Sequence, residues 1–373
     1  MAGMTNVGQA GSLRAGFHAP RRVTNPPQAA SLPHVACMRI LAINGGSSSV
    51  KCRLDELARC QSEPSAPLWQ AHVESQQSLE EVLRSAPFPV DAVAHRIVQS
   101  GKYRQTTRIT PDVRAAIASG AEEAPAHNQF ELAAIDAAER IFGAGIPQVA
   151  VFDSAFHTTL APAAYVYPGP YEWLDLGIRR FGFHGLSHQY ASRRAAGLLG
   201  RDSLRLIVCH LGNGASLCAV RDGKSVDTTM GFSPLEGLMM GTRSGSIDPA
   251  ILIYLIRHRG YTADRLDQIL NRESGLLGVS GISGDMRDIL NSDAPRAKLA
   301  FEIYAHRLCR EIGAMAGVLG GADAIVFTGG IGENCPPLRE IAAKRCEFLN
   351  AKILVIHAEE EWEMVRECYL LLQ

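Results

Sequence analysis

Three stretches of this sequence place glycine and small polar residues directly after an apolar run. They are Asn44-Gly45-Gly46-Ser47-Ser48-Ser49, His210-Leu211-Gly212-Asn213-Gly214-Ala215-Ser216 and Thr328-Gly329-Gly330-Ile331-Gly332-Glu333-Asn334. Glycine lets backbone N–H groups turn towards a bound anion with no Cβ in the way, so such turns make phosphate-binding concavities. One tight turn is only a turn. Three of them, two followed by a returning apolar strand, point to a phosphorylated ligand. The P-loop string GxxxxGK[ST] is absent, and so is GxGxxG after a strand, so neither the P-loop nor the dinucleotide fold is supported.

The elements that must position these turns alternate between strand and helix from Met38 onwards. Arg39–Ile43 and Val50–Leu54 read as a hairpin around the first turn, and Ala92–Val98 and Gln148–Phe152 as further strands. Phe130–Phe142 has helical spacing. Leu206–Cys209 and Leu217–Val220 repeat the first hairpin around the second turn, and this internal symmetry suggests a duplicated domain. Asp323–Phe327 leads into the third glycine turn. Ile353–Ile356 is the last expected strand, and Glu359–Leu372 a closing helix.

Composition narrows the class. With 373 residues, 46% hydrophobic and 20% charged, the chain has the profile of a soluble globular protein long enough for two domains. A net charge of -1 gives no electrostatic case for nucleic acid or an anionic membrane. The richest apolar stretch, Ile312–Phe327, is broken by four glycines, and no run approaches the roughly 18–20 residues of a spanning helix. Nine cysteines lie scattered from Cys37 to Cys368 without a CxxC pair, which argues against zinc or a redox dithiol and suggests a reducing cytoplasm. The first 37 residues mix Pro, Ala, Gly and Ser with Arg14, Arg21 and Arg22, and no acidic residue precedes Asp55. A basic targeting peptide is one reading; a disordered leader or an upstream start codon, with Met38 opening the folded protein, is preferred.

Longer strings carry a resemblance. Asn44-Gly45-Gly46-Ser47-Ser48-Ser49-Val50-Lys51 resembles the opening signature of the acetate and propionate kinase family, and Arg180-Phe181-Gly182-Phe183-His184-Gly185 with Ser187-His188 its second signature. The run from Cys209 to Pro249, Ser274–Ile289 and Phe327–Asn334 are similar to the family almost letter by letter. The resemblance covers Met38 to the C-terminus. It implies an α/β fold of two ribonuclease-H-like domains, the actin, hexokinase and heat-shock-chaperone architecture, with ATP in an interdomain cleft. The implied division is an N-terminal domain of residues 38–153 completed by a helix at 358–373, and a nucleotide-binding domain of residues 154–357.

The activity implied is reversible, direct in-line transfer of the ATP γ-phosphoryl group to acetate, in a cytoplasmic homodimer without nucleic-acid or membrane partners. The alternatives are a propionate or short-chain fatty acid kinase and a catalytically silent nucleotide-binding relative. By resemblance, Asn44 and Glu360 help hold Mg2+, with Mn2+ as a substitute, and Lys51 reaches the ATP phosphates. Arg96 and Arg243 flank the transferred group, His184 hydrogen-bonds it, and Asp153 orients Arg96 rather than acting as a base. A guanidinium suits this task, because it stays charged and offers a planar fork of donors. The nucleotide is expected along Cys209, His210, Leu211, Gly212 and Asn213, along Asp285, Met286 and Arg287, and along Gly330, Ile331, Gly332, Glu333 and Asn334. Val98, Ala126, Phe183 and Pro234 form the implied acyl pocket. Val98 narrows it, whereas Ala126 stands where the family commonly has a larger apolar residue.

The chain also departs from the family pattern. Gln99-Ser100 follow Val98, Leu186 replaces a threonine, Gln129 replaces a proline, and His357-Ala358-Glu359-Glu360-Glu361 varies the acidic pair near the end. None of these removes an expected catalytic group.

Overall fold

A computed structural model describes residues 37–45, 50–61, 63–73, 79–87, 89–98, 102–119 and 125–373, with backbone alone at 125–129. The expected leader and the first turn's Gly46–Ser49 lie outside the described residues. Among the described residues, eleven strands form two sheets: β1 (Met38–Gly45), β2 (Val50–Leu57), β3 (Trp69–Val73), β4 (Ala92–Ile97), β5 (Thr107–Arg108), β6 (Gln148–Phe152), β7 (Arg205–Leu211), β8 (Ala215–Arg221), β9 (Lys224–Thr228), β10 (Ala324–Thr328) and β11 (Lys352–Val355).

The first sheet runs in the order β3-β2-β1-β4-β6-β5 and the second in the order β9-β8-β7-β10-β11. In each, an antiparallel meander of three strands is followed by two strands parallel to its first. These are two copies of one ribonuclease-H-like plan, so the duplicated α/β fold follows from strand order alone. The copies also match in register. Asn44 faces Lys51 across the first hairpin, and His210 faces Ser216 across the second.

The central strands read as continuous apolar runs because both their faces are covered. Ile40, Leu41 and Ala42 of β1, and Ile207, Val208 and Cys209 of β7, are fully buried. One core cluster draws on both sheets. Ile40, Ala42 and Val151 of the first sheet join Leu206, Val208 and Val326 of the second, with Leu186 and Tyr190 from the Gly185–Leu199 helix and Trp362, Val365 and Tyr369 from the Glu360–Leu372 helix. That last helix packs across β1, β2, β4 and β6.

The third glycine string is not a turn. Gly329–Asn334 is a short helix, because Gly329 takes φ 79° after β10 and its N–H is accepted by Glu333 Oε1 one turn on, at 3.0 Å. In the two hairpins the strands extend further than read from sequence, through Gly45 and Leu211. Strands β3, β5 and β9 had no sequence signal strong enough to single them out.

Trp362 is the largest fully buried side chain and carries the Arg53 guanidinium 5.6 Å from its ring centroid. Trp362→Ala is expected to cost about 3–5 kcal/mol, read as a lower midpoint in urea denaturation of the purified chain.

Candidate active site

Arg96 sits near the end of β4, and Asp153 directly follows β6, its neighbour in the first sheet. Both therefore emerge at the carboxyl ends of adjacent parallel strands, where open α/β sheets gather ligands. Asp153 Oδ2 accepts from Arg96 Nη2 at 2.9 Å and from the His184 backbone N–H at 2.9 Å. Burial pushes the Asp153 carboxyl up, but the Arg96 charge and hydrogen bond and the His184 N–H outweigh it, holding the group below the usual carboxylate range. Burial likewise opposes the Arg96 charge, and Asp153 and Glu360 more than restore it.

His184 caps the N-terminus of the Gly185–Leu199 helix in the left-handed region, φ 56° and ψ 27°. A non-glycine residue there costs of order 1–3 kcal/mol and is kept where its surroundings over-determine it. Here the next residue does so. Gly185 N–H donates to the Asp153 carbonyl at 2.8 Å, and a Cβ on Gly185 would lie 2.3 Å from that oxygen. Phe183 O is held by His157 Nε2 at 3.0 Å, with His157 Nδ1 on Ser225 Oγ at 2.8 Å.

The His184 ring stacks on His210 with centroids 4.3 Å apart, and His210 Nδ1 meets Ser187 Oγ at 2.7 Å. Ser216 Oγ lies between His184 Nδ1 at 2.9 Å and His188 Nε2 at 2.8 Å. A serine hydroxyl has one proton, so it donates to one ring and accepts from the other. His188 Nδ1 is buried without a partner among the described residues. Leaving it as a bare acceptor puts the His188 proton on Nε2, turns the Ser216 proton to His184 Nδ1, and leaves His184 with its proton on Nε2. Burial first, then His210, Arg96 and Arg243, push His184 well below the ordinary histidine range. His184 is thus a neutral donor at pH 7.

Arg243 Nη1 donates to Pro234 O at 2.9 Å. Burial and the nearby Arg96 charge lower its proton affinity, and no carboxylate among the described residues pairs with it. A Cβ on Gly214 would lie 3.2 Å from His184 Nε2 and 3.5 Å from Arg243 Nη1. The space glycine leaves open is therefore lined by an imidazole donor and an unneutralised guanidinium, with Arg96 close by. Such a space suits an anion.

Beside it opens a cavity of about 630 Å³. Gly212 and Asn213 line it from the second hairpin, Asp285, Met286 and Arg287 from a second segment, and Gly330, Ile331 and Asn334 from a third. Met286, Leu290 and Ile331 supply apolar walls. Asp285 caps the Met286–Leu290 helix and pairs with Arg287 at 2.5 Å, so each holds the other in place.

Residues 73–360 match the acetokinase family. The chain is 48% identical to an acetate kinase of Gloeobacter violaceus, over 89% of this chain and 99% of that one. This chain belongs to the acetokinase family. In structure it is similar to an acetate kinase of Porphyromonas gingivalis, with a TM-score of 0.81 at 33% identity over 90% of this chain and 100% of that one. It is also similar to a propionate kinase from Francisella tularensis, with a TM-score of 0.79 at 33% identity over 88% of this chain and 98% of that one.

Not every residue that the acetokinase resemblance implied reaches the cavity. Cys209 and Leu211 are fully buried in β7, and Gly332 packs against Phe327 and the Cys209 carbonyl. Glu333 is a brace: its Oε1 accepts from Gly329 N and Ala358 N, each at 3.0 Å, and its Oε2 meets His357 Nδ1 at 2.6 Å. Lys51 is exposed on β2 opposite Asn44. Of the acyl set, Val98 and Phe183 are buried in one cluster, and Pro234 holds Arg243 through its carbonyl. The Ala126 side chain lies outside the described residues, as do Gln99, Ser100 and the Gln129 side chain.

Asn44 joins the two halves of the site. Its Oδ1 accepts from Arg96 Nη1 at 3.2 Å, and its Nδ2 donates to Glu360 Oε2 at 3.2 Å and Glu361 Oε1 at 2.6 Å. Among the described residues no group of three or more His, Cys, Asp or Glu side chains is gathered as for a metal. Mg2+ needs no such cage, since it keeps several waters and takes one or two carboxylates plus substrate phosphates. The paired Glu360 and Glu361 fit that demand. Sequence reasoning read Glu361 within the acidic pattern but assigned only Glu360, and it gave Ser216 and Ser187 no role, although Ser216 ends the second glycine turn.

Gly185→Ala is expected to push the Asp153 carbonyl and the His184 turn apart. The loss should be about 1–3 kcal/mol, visible as a lower thermal midpoint, with a larger fall in kcat than the stability change alone would give.

Proposed function

We propose that this chain reversibly transfers the γ-phosphoryl group of ATP to acetate, giving acetyl phosphate and ADP. The convergence of His184 and Arg243 on the open space at Gly214, with the Arg96 charge acting on both of them, beside the three-segment cavity, carries this reading. The nucleotide occupies the cavity, with its base against Met286, Leu290 and Ile331. The acetate carboxylate meets Arg96, and its methyl group enters the apolar pocket of Val98 and Phe183.

Acetate is already ionised at pH 7, so the attack needs no general base. A carboxylate oxygen forms a bond to the γ-phosphorus as the bond to the β,γ-bridging oxygen breaks, and ADP takes that electron pair. Charge spreads over the equatorial oxygens during transfer, and catalysis is chiefly positioning and charge stabilisation. Arg96 and Arg243 face that charge from two sides, and the neutral His184 donates from Nε2. Asp153 holds Arg96 and the His184 backbone at once and moves no proton. Mg2+ would be held by Glu360 or Glu361 with Asn44, where it would neutralise phosphate charge. Residues 38–153, with the helix near the end of the chain, supply the carboxylate and cation side, and residues 154–357 the nucleotide side.

A second copy of the chain covers the Pro249–Arg259 helix in this reading. That helix has no buried residue, and Ile251, Ile253, Tyr254 and Ile256 are each about half exposed. The cytoplasm is the matching compartment, because its reducing poise suits nine unpaired cysteines.

The decisive assay is acetate-dependent ADP release with acetyl phosphate trapped by hydroxylamine. Arg243→Ala is expected to lose about 10³-fold or more in kcat, and equal rates would remove that residue from the scheme. Ile253→Glu with Ile256→Glu is expected to shift the sedimentation coefficient from dimer to monomer; an unchanged dimer would place the interface elsewhere.

A further inference from the structure

Of the three carboxylates on the Pro125–Phe142 helix, Glu131 is the buried one, and it has no task in this scheme. Glu131 is 3% exposed, and its Oε1 accepts the Val98 N–H at 2.8 Å. Its Oε2 is buried with no hydrogen-bond partner among the described residues. Bracing one N–H needs only one acceptor, so the second oxygen is an uncompensated cost if bracing is the whole role.

The surroundings suggest what that oxygen serves. Val98 lies two residues beyond Arg96 and forms the wall of the acyl pocket. Arg96 spends Nη2 on Asp153 and Nη1 on Asn44, and its Nε is also buried without a partner among the described residues. Among the described residues an unpaired donor on Arg96 and an unpaired acid oxygen on Glu131 are thus buried together with Val98, and Arg96 and Val98 are the residues that the kinase reading gives to the carboxylate substrate. The titratable groups that face Glu131 among the described residues are Arg96 from β4 and Asp153 after β6.

We propose that Glu131 is a positioning and specificity-determining residue of the carboxylate subsite, admitting the substrate anion when protonated and excluding it when ionised. The inference rests on the kinase reading above and deepens it. Protonated, Glu131 keeps an acceptor for Val98 N–H and gains an O–H that can donate to the substrate. Ionised, it sets a second negative charge beside Asp153 and competes with acetate for Arg96, and like charges sharing one buried site cannot all be ionised cheaply. Burial pushes the Glu131 carboxyl up to about 7, against the opposing pull of Val98 N–H and Arg96, so the exchange falls in the working pH range.

Above its midpoint each pH unit leaves about one-tenth as many chains with protonated Glu131, so KM for acetate rises about tenfold per unit. KM for ATP has no such rise. The test is steady-state kinetics from pH 6 to pH 9 on the wild-type chain and on Glu131→Gln, whose amide still accepts from Val98 N–H but cannot ionise. The expected result is a rising acetate KM in the wild type and a flat one in the variant. A flat profile in the wild type, or parallel rising profiles in both, overturns the proposal, and the wild-type measurement alone suffices if the variant does not fold. Absence of any acetate-dependent ADP release by the wild type would instead overturn the kinase reading.

Stability gives an independent readout. A carboxyl whose folded-state affinity for protons is raised contributes stability below its unfolded value, and that contribution is lost as pH rises towards about 7. The thermal midpoint of Glu131→Gln should therefore gain on the wild type between pH 4.5 and pH 7 and then keep a constant lead. A gap that does not change with pH overturns the proposal.

Discussion

Everything in the site hangs on one buried carboxylate. Asp153 Oδ2 receives both the Arg96 guanidinium and the His184 N–H, and so ties the first sheet to the turn that starts the Gly185–Leu199 helix. A buried charge must be paired or it is not tolerated, and removing one partner strands the other. The requirement fixes geometry as well as energy. Arg96 cannot swing out to solvent without leaving the Asp153 charge without its counter-ion, and His184 cannot leave its left-handed backbone without withdrawing its N–H from the same oxygen. In the proposed reaction, the two groups that face the transferred phosphoryl are thereby set by a third that never touches it.

The duplicated fold uses its two copies unequally. Equivalent hairpin positions hold Asn44 opposite Lys51 in the first sheet and His210 opposite Ser216 in the second. The first pair leads to acidic partners, Glu360 and Glu361. The second leads into a cluster of imidazoles and hydroxyls, in which His184, His188 and His210 share Ser216 and Ser187. Burial keeps these histidines neutral, so they add donors to the site without adding charge. The positive charge comes from Arg96 and Arg243, the side chains least able to lose it.

Much of this was legible in the sequence, for reasons that particular residues make plain. Strands β1, β6, β7 and β10 announce themselves because burial on both faces demands unbroken apolar runs. Strands β3 and β9 lie at the far ends of the two meanders, and β5 has only two residues, so none shows such a run. The Gly329–Asn334 string looked like its two counterparts, but Glu333 answers the Gly329 N–H locally and the segment coils into helix. Arg96, Asp153 and His184 were readable only as parts of longer strings, since nothing local marks an arginine as buried. Ser216 and His188 owe their roles to a contact across 28 residues, and Glu131 reads as an ordinary helix-surface charge until the Val98 N–H is seen upon it.

The helix that covers the first sheet comes some two hundred residues after the strands it protects. During synthesis, β1, β4 and β6 are finished long before Trp362 and Tyr369 exist to seal them. At about 5–20 residues per second, an apolar sheet face waits roughly 10–40 s for its cover. The early half of the chain is therefore the part most exposed to misassociation on the ribosome, and the part for which a holding chaperone would matter most.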